Sequence, residues 1–107
     1  MESLENLYKV GCGRRENPQE GSYTCYLFEQ GLDKICKKIG EESAELIIAS
    51  KNGVHDEVQL EACDQLYHLM VLLVQTGVPL SDIDAELARR AEKIGNLKTM
   101  KKTDKET

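Results

Sequence analysis

Proline is nearly absent from this sequence: only Pro18 and Pro79 occur in 107 residues. Both stand between helical patterns as punctuation, so the chain is free to run in long uninterrupted helices. Strand signals are missing too. No alternating β-branched run occurs, and the Asn52-Gly53 pair follows a long helical pattern, where glycine ends a helix rather than turning a hairpin. No apolar run is long. Leu69 to Val74 is the longest, against about 20 residues for a bilayer span. Met1 to Lys9 shows no positive region followed by an apolar stretch, so no secretory leader is expected.

Positive charge is in deficit. The formal net charge is -5, with 14 Lys and Arg against 19 Asp and Glu. Holding a nucleic-acid backbone requires a clustered basic surface, which excludes that function by charge alone. A nucleotide remains compatible as substrate, because metal ions can stand between a polyphosphate and an acidic site. Paired cysteines are also missing. Cys12, Cys25, Cys36 and Cys63 form no C-x-x-C pair, and no histidine lies at zinc-finger spacing. Free thiols in a reducing compartment follow, with Cys36 and Cys63 packing as small hydrophobes in apolar helical surroundings. The expectation is a soluble, cytoplasmic protein that engages neither membrane nor nucleic acid.

What is present is helical periodicity. The length fits one domain, and a domain this small buries roughly two-thirds of its unfolded surface. That core is modest, and oligomerisation would extend it. The first helix is expected from about Leu4 to Arg15 with Ser3 as N-cap, weakened by Gly11 and Gly13. A short turn or helix over Thr24 to Glu29 follows, then a bend at Gly31 and a long helix from Leu32 to Lys51. Asp56 to Gln75 forms the next, ended by Gly77-Val78-Pro79, and a last helix runs from Ser81 to about Ile94. The two long helices, about 30 Å each and joined by a short loop, should pack antiparallel. The fold class is therefore all-α, an antiparallel bundle of four to five helices spanning 1–97. The charged segment 98–107 is expected to be a disordered tail.

The informative residues are acids in apolar positions. Leu32, Ile35, Ile39, Glu42, Leu46 and Ala49 follow the steps of three and four of a core-facing stripe, so Glu42 interrupts a hydrophobic seam. Glu41 lies beside it and Glu45 one turn on. The next helix is apolar nearly all round from Leu60 to Val74, yet it carries Glu61 and Asp64, then Tyr67 and His68. Like charges at this spacing destabilise a helix, and buried carboxylates are costly without compensation. Two such pairs facing one groove call for cations, and hard oxygen ligands suit Mg²⁺ or Mn²⁺. A metal-held water could then attack a phosphoanhydride. A single E-x-x-E is ordinarily a solvated helix face or a partner for Lys37, Lys38, Arg89 or Arg90; two on consecutive helices, both intruding on apolar stripes, argue for a site.

The arrangement Glu41-Glu42-x-x-Glu45 followed by Glu61-x-x-Asp64 resembles the signature of the MazG-like all-α nucleotide pyrophosphohydrolases. Gly21-Ser22-Tyr23-Thr24, Leu27-Phe28, the Lys37-Lys38-Ile39-Gly40-Glu41-Glu42 segment and Glu61-Ala62-Cys63-Asp64 with Tyr67-His68 resemble the phosphoribosyl-ATP diphosphatase group within it. The resemblance spans about Leu7 to Arg90. It implies hydrolysis of phosphoribosyl-ATP to phosphoribosyl-AMP and pyrophosphate, the second step of histidine synthesis. It implies Mg²⁺ ligation by Glu42, Glu45, Glu61 and Asp64, with Glu41 binding a further ion or orienting water. Lys37 or Lys38 would steady phosphate oxygens; Ser22, Tyr23, Thr24, Tyr67 and His68 would contact substrate, although helix capping or buried hydrogen bonding explains several of them equally. With twenty residues before Gly21, the monofunctional form is expected rather than a fusion to a cyclohydrolase, and a homodimer completes the bundle. Against the group's pattern, Gln65 replaces an apolar residue and should loosen packing, and Gly11-Cys12-Gly13 replaces better helix formers. Two other readings stay open: a house-cleaning (d)NTP pyrophosphohydrolase of the same superfamily, and a non-catalytic helical dimerisation module whose acids serve salt bridges.

Overall fold

In the structure, a computed structural model, residues 1–92 and 100–106 are described. Among them every element is helical: α1 (Glu2–Glu16), α2 (Tyr23–Gln30), α3 (Leu32–Asn52), α4 (His55–Thr76), α5 (Leu80–Ala91) and a short α6 (Lys102–Glu106). The expected end of the fourth long segment at Ile94 and part of the expected tail lie outside the described residues; the described part of that tail includes α6. No single described helix is long and apolar enough to cross a membrane.

Capping explains where the helices begin and end. Ser22 is the N-cap of α2, its Oγ accepting the Cys25 backbone N–H at 3.2 Å, so the expected turn is a full helix. One expected cap and one expected start are displaced. Met1 rather than Ser3 precedes α1, and Pro79 rather than Ser81 precedes α5. Pro79 suits that place because proline fixes φ and has no N–H to leave unpaired. Gly53 and Gly77 end α3 and α4 in the left-handed region, at φ 71 and 76, which only glycine occupies at no steric cost.

The α3–α4 hairpin is the backbone of the fold. Two residues, Gly53 and Val54, join helices of 21 and 22 residues, so α4 returns antiparallel along α3. The Gln65 amide donates to Ser43 Oγ at 2.8 Å across that interface; the residue expected to loosen the packing cross-links the two helices. Around it, Leu27, Ile35 and Val71 form the fully enclosed core, with Phe28, Ile39, Tyr67 and Leu72 packed against them.

α1 lies along α4 and is tied to its C-terminal end. Tyr8 Oη donates to the Val78 carbonyl at 2.9 Å, and Arg15 donates to the Val74 and Gln75 carbonyls at 2.7 and 3.2 Å. The guanidinium thus adds a donor to carbonyls of the last turn, where the helix dipole favours a positive charge; Val74 also accepts the Gly77 N–H. Gly11 has a packing reason: a Cβ there would meet Val74 Cγ2 at 3.2 Å, so the poor helix former permits the close approach of α1 to α4.

The apolar faces are only partly covered. Leu32, expected in the seam, is exposed, and Ile47, Ile48 and Leu60 are 60% exposed or more. Cys36 and Cys63 are exposed as well, against the expectation that they pack inside. α4 buries only His68, Met70, Val71 and Val74. A single copy of the hairpin covers one side of it, and the other side stays open.

Candidate active site

The seam of α3 buries Ile35, Glu42 and Ala49, the spacing that places Glu42 inward. Glu42 is 6% exposed. Opposite it, α4 brings Glu61, and Glu45 follows one turn along α3. One carboxylate oxygen from each of Glu42, Glu45 and Glu61 lies within 4.8 Å of the others. Glu42 Oε2 and Glu61 Oε2 are buried without a hydrogen-bond partner. Desolvation first, then the close carboxylate of Glu45 and the charges of Asp64 and Glu42, hold the Glu61 carboxyl above its ordinary range.

An unpartnered buried carboxylate oxygen is costly, and two beside a third acid are costlier. Acceptor-only oxygens converging at this distance fit a hard divalent cation of the Mg²⁺ or Mn²⁺ type rather than a soft one. The orphaned oxygens of Glu42 and Glu61 have the chemistry such an ion requires.

The other acids are placed differently. Asp64, one turn beyond Glu61, is exposed and lies outside the group of three; it acts on the cluster as a neighbouring charge. Glu41 points to the lysines. It takes Lys38 Nζ at 3.2 Å and Lys37 Nζ at 4.0 Å, and the Lys38 hydrogen bond holds its carboxyl below the ordinary range. Lys38 Nζ is also 3.7 Å from Glu42 Oε1, whereas Lys37 is largely exposed with no contact to Glu42. The lysine beside the cluster is therefore Lys38, a distinction the spacing left open.

Behind the acids stands a polar and aromatic layer. His68, 5% exposed, has Nδ1 2.8 Å from the Asp64 backbone carbonyl. A carbonyl only accepts, so Nδ1 carries a proton, and Nε2 meets the Tyr23 hydroxyl at 3.2 Å. Thr24 Oγ1 and Tyr67 Oη form a short hydrogen bond, and burial first of all pushes the Tyr67 phenol up. The Tyr67 and His68 rings meet edge to face at 5.0 Å, and Tyr23 stacks near Tyr67 at 6.2 Å. This layer pins α2 against α4 and fixes the turn of α4 that carries Asp64. Ser22 caps α2 rather than reaching the acids.

Sequence reasoning passed over a cavity of about 970 Å³ at the corner between α1 and α2, lined among others by Arg14, Arg15, Tyr23, Tyr26 and Phe28. Gly21, Ser22, Tyr23 and Phe28 of its lining stand in motifs read from the sequence, whereas Arg14 carried no signal there.

Comparison with known proteins points the same way as the acids. The sequence profile of the family Phosphoribosyl-ATP pyrophosphohydrolase matches residues 4–91. The chain is 51% identical over 100 residues to a phosphoribosyl-ATP pyrophosphatase of Clostridium botulinum, covering 94% of this chain and 91% of that protein. It is 56% identical over 90 residues to the corresponding protein of Limosilactobacillus fermentum, covering 84% and 85%. The histidine biosynthesis bifunctional protein HisIE of Caldanaerobacter subterraneus is 56% identical over 93 residues, which is 87% of this chain and 45% of that one. With a match from the first turn of α1 to the end of α5, and identity of half or more over most of its length, the chain belongs to the phosphoribosyl-ATP pyrophosphohydrolase family.

Proposed function

We propose that this chain hydrolyses phosphoribosyl-ATP to phosphoribosyl-AMP and pyrophosphate in histidine biosynthesis, as a cytoplasmic enzyme using Mg²⁺. The observation that carries the reading is the convergence of Glu42, Glu45 and Glu61 on one point, with two carboxylate oxygens left unpartnered. The names of the relatives supply the substrate. Glu42, Glu45 and Glu61 would hold the cation, with Asp64, one turn on from Glu61, as the further carboxylate of the set. Bound Mg²⁺ supplies charge neutralisation for the polyphosphate and a water of lowered pKa.

The remaining roles belong to the protein's own groups. Lys38, held by Glu41 on one side and Glu42 on the other, stands where a phosphate oxygen can replace one carboxylate partner. Glu41 positions Lys38 rather than binding an ion. Thr24, Tyr67, Tyr23 and His68 keep α2 and α4 in register. Water adds across the phosphoanhydride between the α- and β-phosphates, so that bond breaks and pyrophosphate leaves.

A homodimer belongs to the same proposal. Ile47 and Ile48 on α3 and Leu60 and Leu66 on α4 are exposed apolar side chains on the two antiparallel helices, an expanse unusual for a monomer. Light scattering that returns twice the 12.0 kDa chain mass supports it, and a monomer at micromolar concentration contradicts it.

The test of the activity is pyrophosphate release from phosphoribosyl-ATP with Mg²⁺ and with chelator, beside a panel of dNTPs. Metal-dependent release from phosphoribosyl-ATP in preference to every dNTP is the expected result. Preference for a dNTP would move the chain to a house-cleaning role, and no release from any of them would end the enzymatic reading.

A further inference from the structure

The proposed substrate is anionic at two ends. Its triphosphate belongs at the acidic cluster, while its second ribose carries a phosphate monoester that a cation-filled acidic site does not explain. A second subsite has to hold that end, or the enzyme could not tell its substrate from ATP. We propose that the cavity between α1 and α2 is this subsite, with Arg14 pairing to the phosphate monoester and the Tyr26 ring giving the base a face to stack on; the inference rests on the activity proposed above.

Three observations meet there. Tyr23 belongs to both places: its side chain lines the cavity, and its hydroxyl reaches His68, whose ring is fixed to the backbone of Asp64. Tyr23 therefore links the cavity wall to the turn of α4 that carries Asp64. The cavity wall is aromatic, with Tyr23, Tyr26 and Phe28. Tyr23 and Tyr26 are stacked at 6.0 Å, and both are more than two-fifths exposed, so the outer ring offers a face to a base, an arrangement that favours any purine.

The two arginines differ. Arg15 is committed to the Val74 and Gln75 carbonyls and lies over the Phe28 ring at 5.9 Å. Arg14 is partly buried on the cavity wall, and among the described residues its guanidinium has neither an ion pair nor a hydrogen bond. Glu20 and Glu29 also line the cavity. Net charge there is consequently weak, and an anion is held by direct contact with a guanidinium fork, leaving the carboxylates to accept ribose hydroxyls.

The subsite is tested on the whole chain with Arg14→Gln and Arg14→Lys, each checked by thermal melt. Steady-state kinetics should show KM for phosphoribosyl-ATP raised roughly tenfold or more in Arg14→Gln, with kcat little changed because the acids are untouched. Arg14→Lys keeps the charge without the fork and should fall between. A readout independent of turnover is the binding of phosphoribosyl-AMP against AMP by calorimetry: wild type prefers the former, and Arg14→Gln loses that preference. Cys25, which lines the same cavity, should be protected from alkylation by phosphoribosyl-AMP more than by AMP, read by peptide mapping. Wild-type turnover with unchanged KM and unchanged product preference in Arg14→Gln overturns the subsite and leaves the reaction standing. Absence of wild-type turnover on phosphoribosyl-ATP overturns the reaction and the subsite together.

Discussion

Replacing Glu42 by glutamine should stabilise the metal-free protein and destabilise it relative to wild type once Mg²⁺ is added. Glu42 is 6% exposed, with Oε2 buried and unpartnered. Leaving a polar atom in that state costs about 1–3 kcal/mol, more for a charge, and the amide carries no charge to desolvate. Against this stands the contact with Lys38 Nζ at 3.7 Å. Lys38 keeps Glu41 at 3.2 Å, so the lost pair is worth about 1 kcal/mol at most. The balance favours Glu42→Gln by about 0–2 kcal/mol without metal. In a chain of 107 residues, each kcal/mol moves the melting temperature by about 4–8 °C. With Mg²⁺ at a hundred times its dissociation constant, wild type gains about 2.7 kcal/mol, whereas the variant has lost a ligand and gains little. Melts in chelator and in saturating Mg²⁺ should therefore cross, variant above wild type in the first and below it in the second. A variant less stable in both, beside a wild type that Mg²⁺ leaves unmoved, would mean that Glu42 is a structural ion-pair partner and that the metal-site reasoning is wrong.

Glu61 gives a pH prediction of definite sign. Its carboxyl is held above the ordinary 4.5, chiefly by desolvation and then by Glu45, so its favourable contribution is present at low pH and is lost as pH rises through the folded value. Metal-free wild type should lose stability relative to Glu61→Gln as pH is raised above 4.5; parallel melting curves across that range would contradict it. Gly13→Ala should raise stability by about 1 kcal/mol through helix propensity, since nothing lies within 4 Å of the new Cβ. Gly11→Ala has the same propensity gain but meets Val74 Cγ2 at 3.2 Å, so its melt should fall below that of Gly13→Ala, and equal melts would refute the close approach. Ser22→Ala removes the α2 cap and should cost about 1 kcal/mol, restored by Ser22→Asp, another good cap; denaturant melts that fail to separate the three proteins would remove the capping argument.

The acids were legible because they break a pattern. A three-and-four repeat predicts one buried residue per turn, and a glutamate in that series is anomalous whatever else surrounds it. Burial of Ile35, Glu42 and Ala49 along one face of α3 follows from periodicity alone. Periodicity is weaker where a helix is apolar all round. On α4 it gave no face, so it did not separate Glu61, which joins the cluster, from Asp64, which stays exposed. The same ambiguity applies to Cys63, expected inside but exposed; Cys36, also exposed, lies beside the α3 stripe rather than in it. Contacts between distant segments were not legible: Arg15 on the end of α4, Gly11 against Val74 and the Gln65 bridge to Ser43 depend on how helices meet. Nor was Lys38 separable from Lys37, since neighbouring residues on a helix point about 100° apart and only the packed partner decides which faces the site.

On the function proposed above, Glu42, Glu45 and Glu61 form a cation site at which a phosphoanhydride is hydrolysed. Its most direct test is the rate of pyrophosphate release from phosphoribosyl-ATP in saturating Mg²⁺ by wild type, Glu45→Gln and Glu61→Gln, each shown to be folded by its melt. Loss of roughly a hundredfold or more in kcat in both variants, with folding intact, is the predicted result. Variants that turn over at the wild-type rate would contradict the account and place the chemistry elsewhere in the molecule.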